Sequence, residues 1–158
     1  MPVKTKTMKK KVFIGETKLT YHKAKKVEKK QIRQSRTAFK ILRELMGDLV
    51  YHQEAYAVLY LNQANEVMWA EILHLGGSKS CIQDVKAIVR RALVGGCQSM
   101  IVGHNHPSGN LTPSEADKRA TKSLKEALHL FEIPLHDHII VGDEGFFSFS
   151  DHGLSCIS

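Results

Sequence analysis

The chain predicts an α/β fold in which a mixed central β-sheet is flanked by helices on both faces. Three observations lead there. Segments with helical periodicity alternate with short apolar segments of strand character, in the order helix, strand, strand, helix, strand, helix, strand, strand. Turn residues punctuate the boundaries. The length of 158 residues, with 42% hydrophobic side chains, suits one domain with a proper core. No internal repeat or low-complexity segment interrupts the pattern.

Ser35 is a candidate cap for a helix over residues 36–46, with Phe39, Leu42 and Met46 on one face and Gly47 as its stop. Residues 54–61 and 67–73 read as strands joined by the polar turn Asn62-Gln63-Ala64-Asn65, a hairpin. Residues 84–93 are amphipathic. Val85, Ile88, Val89 and Leu93 make a stripe that is core rather than a cofactor box, and Gly95-Gly96 closes it. Residues 98–102 form a buried strand, and Cys97 is assigned to that core strand. Residues 114–131 form a longer helix with Ala120, Leu124, Ala127, Leu128 and Phe131 turned inward. Pro134 breaks the chain before a strand at 137–141. Gly142-Asp143-Glu144-Gly145 turns it into a last strand at 146–149.

Charge divides the chain differently. Residues 1–43 hold 15 of the 23 Lys and Arg and only Glu16 and Glu28 as acids, whereas the remainder carries 8 basic and 14 acidic side chains. The net +7 therefore hides a basic N-terminal arm, residues 1–35, joined to a mildly acidic domain, residues 36–158. The arm is either an edge hairpin around Gly15-Glu16-Thr17-Lys18 or a solvated, partly disordered extension. Clustered Lys and Arg bind phosphates by releasing counterions, so nucleic acid is one expected partner. No apolar run is long enough to span a bilayer, and Met1-Pro2-Val3-Lys4 lacks a signal peptide's apolar core. Cys81, Cys97 and Cys156 are odd in number and widely spaced, which favours reduced thiols and a cytoplasmic location; Cys156 reads as tail.

The chemistry concentrates in His104-Asn105-His106-Pro107 and, after ten intervening residues, Asp117. On a strand, residues i and i+2 face the same side, so His104 and His106 can address one ion while Asn105 faces away. Ser114 can cap the following helix, and Asp117 in its first turn can project a carboxylate back across the loop. Two imidazoles and a carboxylate are three of the four ligands of a catalytic zinc, the fourth place being left to water. Taken without the histidines, Ser114 and Asp117 would be only a Ser-x-x-Asp cap. A second His-x-His, His136-Asp137-His138, reads as structural or as a partner to the metal ligands rather than as a second metal site. His74, His129 and His152 read as surface or capping residues. Each ligand histidine also needs a partner for its other ring nitrogen, and the sequence does not name it.

Gly103-His104-Asn105-His106-Pro107-Ser108-Gly109-Asn110-Leu111-Thr112-Pro113-Ser114-Glu115-Ala116-Asp117 resembles the signature of the RadC-type branch of the JAB/MPN superfamily, whose JAMM motif marks zinc metalloproteases. The likeness continues through Leu135-His136-Asp137-His138-Ile139-Ile140-Val141-Gly142 and Phe147-Ser148-Phe149. Upstream it takes in Glu54-Ala55-Tyr56-Ala57-Val58-Leu59-Tyr60-Leu61-Asn62. The resemblance implies a JAB/MPN layout related in shape to cytidine deaminases, with one zinc held by His104, His106 and Asp117. It further implies that Ser114 stabilises the developing oxyanion and that Glu54 acts as general acid/base. Glu66 and Glu71 are rivals for that last role. The chain is expected to be a short form without the helix-hairpin-helix module of longer members, similar to short RadC-like proteins of bacterial mobile elements.

Two functions follow. One is a zinc-dependent hydrolase that cleaves an amide or isopeptide bond in a peptide, a small ubiquitin-like tag or an amino-acid conjugate. The other is a DNA-associated accessory protein that binds through the basic arm and keeps a structural or vestigial metal site. An HNH nuclease is disfavoured because that motif spreads its residues over a ββα-metal hairpin. No phosphate-cradling glycine loop and no Gly-x-Ser-x-Gly nucleophile is present, so neither nucleotide dependence nor serine hydrolysis has support.

Overall fold

A computed structural model describes residues 30–75 and 84–157, with the side chains of residues 74 and 75 excepted. The arm over residues 1–29, its suggested hairpin, and Cys81 lie outside the described residues. The elements run α1 (Ser35–Met46), α2 (Leu49–His52), β1 (Ala55–Leu61), β2 (Val67–Leu75), α3 (Val85–Gly95), β3 (Ser99–Asn105), α4 (Glu115–His129), β4 (Leu135–Val141) and β5 (Phe146–Ser148). They build a five-stranded mixed sheet in the order β2-β1-β3-β4-β5. Among the described residues only β3 and β4 pair in parallel. Their connection is α4, as a parallel pair requires a crossover.

Alternation in the central strands sorts the core into two faces. Ala55, Ala57, Leu59 and Leu61 of β1 pack with Phe39, Leu42 and Met46 of α1 and Val50 of α2. Tyr56, Val58 and Tyr60 face the other way, with Ile88 and Ala92 of α3 and Leu124 and Leu128 of α4. All seven residues of β1 and of β3 are buried, because both strands lie inside the sheet and are covered on both sides. Helices therefore flank both faces, as the alternation predicts.

Several local expectations are corrected. Ser35 does not cap α1; Gln34 occupies the cap position, and the Ser35 hydroxyl instead donates to Asp151 near the C-terminus. Helix α2, a single turn, has no periodic signature to announce it. Strand β3 continues three residues beyond the expected end, through Asn105, because its backbone pairs with β4 as far as Val141. Leu93 and Phe131 are 47% and 48% exposed, so the inward stripes of α3 and α4 end sooner than the pattern suggests. Cys97 is buried in the α3–α4 face, as a core residue should be, but it lies before β3 rather than in it. Cys156 is not loose tail: it packs with Ile140 and Phe149 in a small third cluster.

One close approach fixes how α3 sits. A Cβ on Gly95 would lie 2.0 Å from the Trp69 ring, so glycine lets the last turn of α3 settle onto that indole. Trp69 in turn stacks on Tyr60 at 4.2 Å.

Candidate metal centre

Strand β3 delivers His104 to the sheet face that carries α4. Tyr56 of β1 pairs directly with His104. Glu54 stands two residues before Tyr56, just outside β1; were the antiparallel register continued, it would face His106. The loop after His106 folds back in a tight turn, with Gly109 donating to His106 O at 2.8 Å from a left-handed φ of 76°. Ser114 then opens α4. Its hydroxyl accepts from the Asp117 N–H, while Asp117 Oδ2 accepts from the Ser114 N–H and hydroxyl, each at 2.7 Å. This reciprocal cap turns Asp117 toward the histidines, so cap and ligand are one device.

The ligand atoms converge. His104 Nε2 lies 2.9 Å from His106 Nε2 and 3.4 Å from Asp117 Oδ1, and His106 Nε2 lies 3.5 Å from Asp117 Oδ2. Among the described residues this trio forms a group of donors able to hold a metal ion. Zinc bonds of about 2.0–2.1 Å at tetrahedral angles separate ligand atoms by about 3.3 Å. Two of the three spacings match that figure, and the third needs a small opening of the rings. Nitrogen and oxygen donors in this number suit zinc, so the residues fit the ion.

Electrostatics agree with a cation site. Asp117 is half-buried, and burial alone would raise its pKa. Hydrogen bonds from His104, His106 and Ser114, with the charge of His104, hold it far below the carboxylate range. The same carboxylate is the largest influence raising His106, against burial and with help from the Asn110 carbonyl and the charge of Glu54. Glu54 thus acts electrostatically on His106 from just before β1. Its rivals are engaged elsewhere: Glu66 accepts from Asn62, and Glu71 pairs with Arg91 and accepts from Tyr60.

The structure also supplies partners for the ligand rings: His138, which the sequence reading offered for that role, and Asn110 and Thr121, which it did not single out. His106 Nδ1 donates to Asn110 O at 2.6 Å, which leaves Nε2 free for a metal. His104 Nδ1 meets His138 Nε2 at 2.7 Å, and His138 Nδ1 meets Thr121 Oγ1 at 2.5 Å. His136 is exposed, so the two histidines of His136-Asp137-His138 have separate fates. Asp137 between them accepts from Ser148 and from Ser150 N and thereby pins β5. Thr121 was legible in principle, because position i+4 from Asp117 shares its helix face.

Asn105, between the ligands, faces the opposite side of the sheet, as alternation demands. Its side-chain oxygen accepts from Ala55 N at 2.8 Å and its amide donates to Gln53 O at 3.0 Å, clasping the two neighbours of Glu54. Tyr56, whose ring lies 6.4 Å from that of His104, also lines a cavity of about 240 Å³ with Leu73, Asp84, Ile88 and Arg90.

Comparison with known proteins assigns the region a lineage. Residues 32–154 match the family model described as RadC-like JAB domain. The chain is 38% identical over 125 residues to a UPF0758 protein of Flavobacterium johnsoniae, covering 79% of this chain and 54% of that one. It is 43% identical over 102 residues to the UPF0758 protein YfjY of Escherichia coli, covering 65% and 64%. A second E. coli relative, the UPF0758 protein YeeS, is 40% identical over 102 residues, covering 65% and 69%. The chain thus spans between about half and two thirds of the length of these curated relatives.

Proposed function

This chain belongs to the RadC-like JAB domain family, and we propose that it is a zinc-dependent hydrolase that cleaves an amide or isopeptide bond. The observation that supports the proposal is the convergence of His104, His106 and Asp117 on one point, with Glu54 near enough for its charge to act on His106. A zinc ion held there supplies Lewis acidity and lowers the pKa of water to about 7. Glu54 takes the proton of the attacking water at its carboxylate and returns it to the leaving nitrogen. Asn105 holds Glu54 in place by clasping the residues on either side of it. Ser114 is the oxyanion donor in this scheme. Its hydroxyl donates to Asp117 Oδ2 and must turn to the substrate as charge develops. One such donor is worth about 10²–10³ in rate. The substrate is a peptide or a conjugate joined through an amide, and the cavity beside Tyr56 is where a side chain next to the scissile bond would sit.

Metal analysis by plasma mass spectrometry tests the site. Wild type and Glu54→Gln are expected to carry about one zinc per chain, and Asp117→Ala to lose it. Hydrolysis of a peptide library by the zinc-loaded protein is expected to vanish in Glu54→Gln while surviving removal of residues 1–29. Zinc-free wild type after incubation with zinc, or undiminished hydrolysis in Glu54→Gln, would sink the proposal.

A further inference from the structure

The bonds behind His104 have a direction. Thr121 Oγ1 lies 2.6 Å from the carbonyl oxygen of Asp117, one helical turn back. That is a hydrogen-bonding distance between oxygens, and a carbonyl only accepts, so the single hydroxyl proton of Thr121 lies between them. Without it, two sets of lone pairs would face each other. At its second contact, with His138 Nδ1, Thr121 must therefore accept, and His138 carries its proton on Nδ1. His138 is buried, stacked on Phe149 at 4.6 Å and met edge-on by Tyr56. A ring so fully buried is held neutral by the cost of burying a charge, so with the proton on Nδ1 its Nε2 is a bare acceptor. The partner of that acceptor, His104 Nδ1, then bears the proton. In a neutral His104 this leaves the lone pair on Nε2, the atom facing His106 and Asp117.

We propose that Thr121 and His138 are positioning residues, forming a one-way hydrogen-bond chain from the Asp117 carbonyl that fixes His104 in the tautomer whose Nε2 binds metal. The inference rests on the zinc reading above and adds to it the means by which one ligand is set. His106 reaches the same tautomer by donating directly to a backbone carbonyl. His104, near the end of β3, meets the His138 ring instead and is tied to a carbonyl of α4 through two side chains. The chain starts at the backbone of one ligand, Asp117, and ends on the ring of another, so α4 and β3 are locked to the same ion from both sides. The general effect of such partners on metal affinity is about 10–100-fold.

The test reads tautomers and affinity rather than turnover. Long-range ¹H–¹⁵N correlation on histidine-labelled, zinc-free wild type is expected to show His138 protonated on Nδ1. In the zinc-loaded protein His104 is expected to carry its proton on Nδ1. Zinc affinity by chelator competition is expected to fall by about 10–100-fold in Thr121→Val, which keeps the shape and loses the hydroxyl. Thr121→Ser is expected to restore both affinity and spectrum, which a purely packing role would not require. A His138 protonated on Nε2 in wild type, or a Thr121→Val variant that binds zinc as tightly as wild type, would overturn the proposal. Should Thr121→Val not fold, the wild-type spectrum and the serine variant still decide it. A wild type that binds no zinc would defeat the hydrolase reading instead, and the His138 tautomer would then be the sole arbiter of the chain.

Discussion

At the scale of single residues, the proposed zinc site would couple metal affinity to pH. His106 has a folded pKa raised above the ordinary imidazole value of 6.5, chiefly by its hydrogen bond to Asp117. In the metal-free protein the His106–Asp117 pair therefore contributes stability that is complete below 6.5 and fades as pH rises through the raised value. Asp117, lowered from 3.8, sets the other edge, because its contribution disappears as pH falls. Zinc needs the neutral ring, so protons compete with it below the raised His106 value. Chelator-competition titrations are expected to show the zinc Kd weakening by about tenfold per pH unit per displaced proton on the acid side, and a flat profile would contradict the assignment of His106 as a ligand. The spacing of His104, His106 and Asp117 was legible because strand alternation and a helix cap are local rules. Thr121 and His138 were less so. The contact that matters joins residues 17 positions apart on two elements, and no local pattern states which side chain a buried imidazole will meet.

At the scale of elements, the sequence announced every strand and the three longer helices but misjudged where several of them stop. Periodicity marks the middle of an element, while its ends depend on partners elsewhere; β3 runs to Asn105 because β1 and β4 continue to pair with it. Helix α2 was invisible, since four residues hold barely one turn. Its position depends on Asn105, whose amide reaches Leu49 O, Val50 O and Gln53 O. Asn105→Ala would leave buried backbone groups unmatched and is expected to cost about 1–3 kcal/mol for each group that finds no water. Denaturant unfolding measures that loss. A separate readout is catalytic: Asn105→Ala should reduce turnover more than zinc affinity, because it releases Glu54 rather than a ligand. Gly95→Ala is a control far from the metal. Its methyl would collide with Trp69, and a lowered Tm of a size matching about 1–3 kcal/mol is expected, with zinc affinity unchanged.

At the scale of the whole molecule, the two-faced core was readable in the alternation of β1, and the parallel β3–β4 pair follows from the helix between them. The order of strands was not readable, because nothing local in β1 says that β3, rather than β5, lies beside it. Charge is the other global property. The body beyond residue 43 has 8 basic and 14 acidic side chains, so affinity for polyanions should reside in the arm. Removing residues 1–29 is expected to abolish salt-sensitive DNA binding, if the full chain has it, while leaving zinc content intact; salt-titrated anisotropy checks this. A last consequence comes from the alternation His104, Asn105, His106. A slip of β3 by one residue would bury the imidazoles against α2 and aim the amide at Asp117, destroying the ion site and the Glu54 clasp together. A zinc ion at the proposed site would be gripped only by a correctly threaded sheet, so it would act as a proofreader of folding, rewarding the native alignment and no neighbouring one. At a hundredfold excess over Kd that reward is about 2.7 kcal/mol.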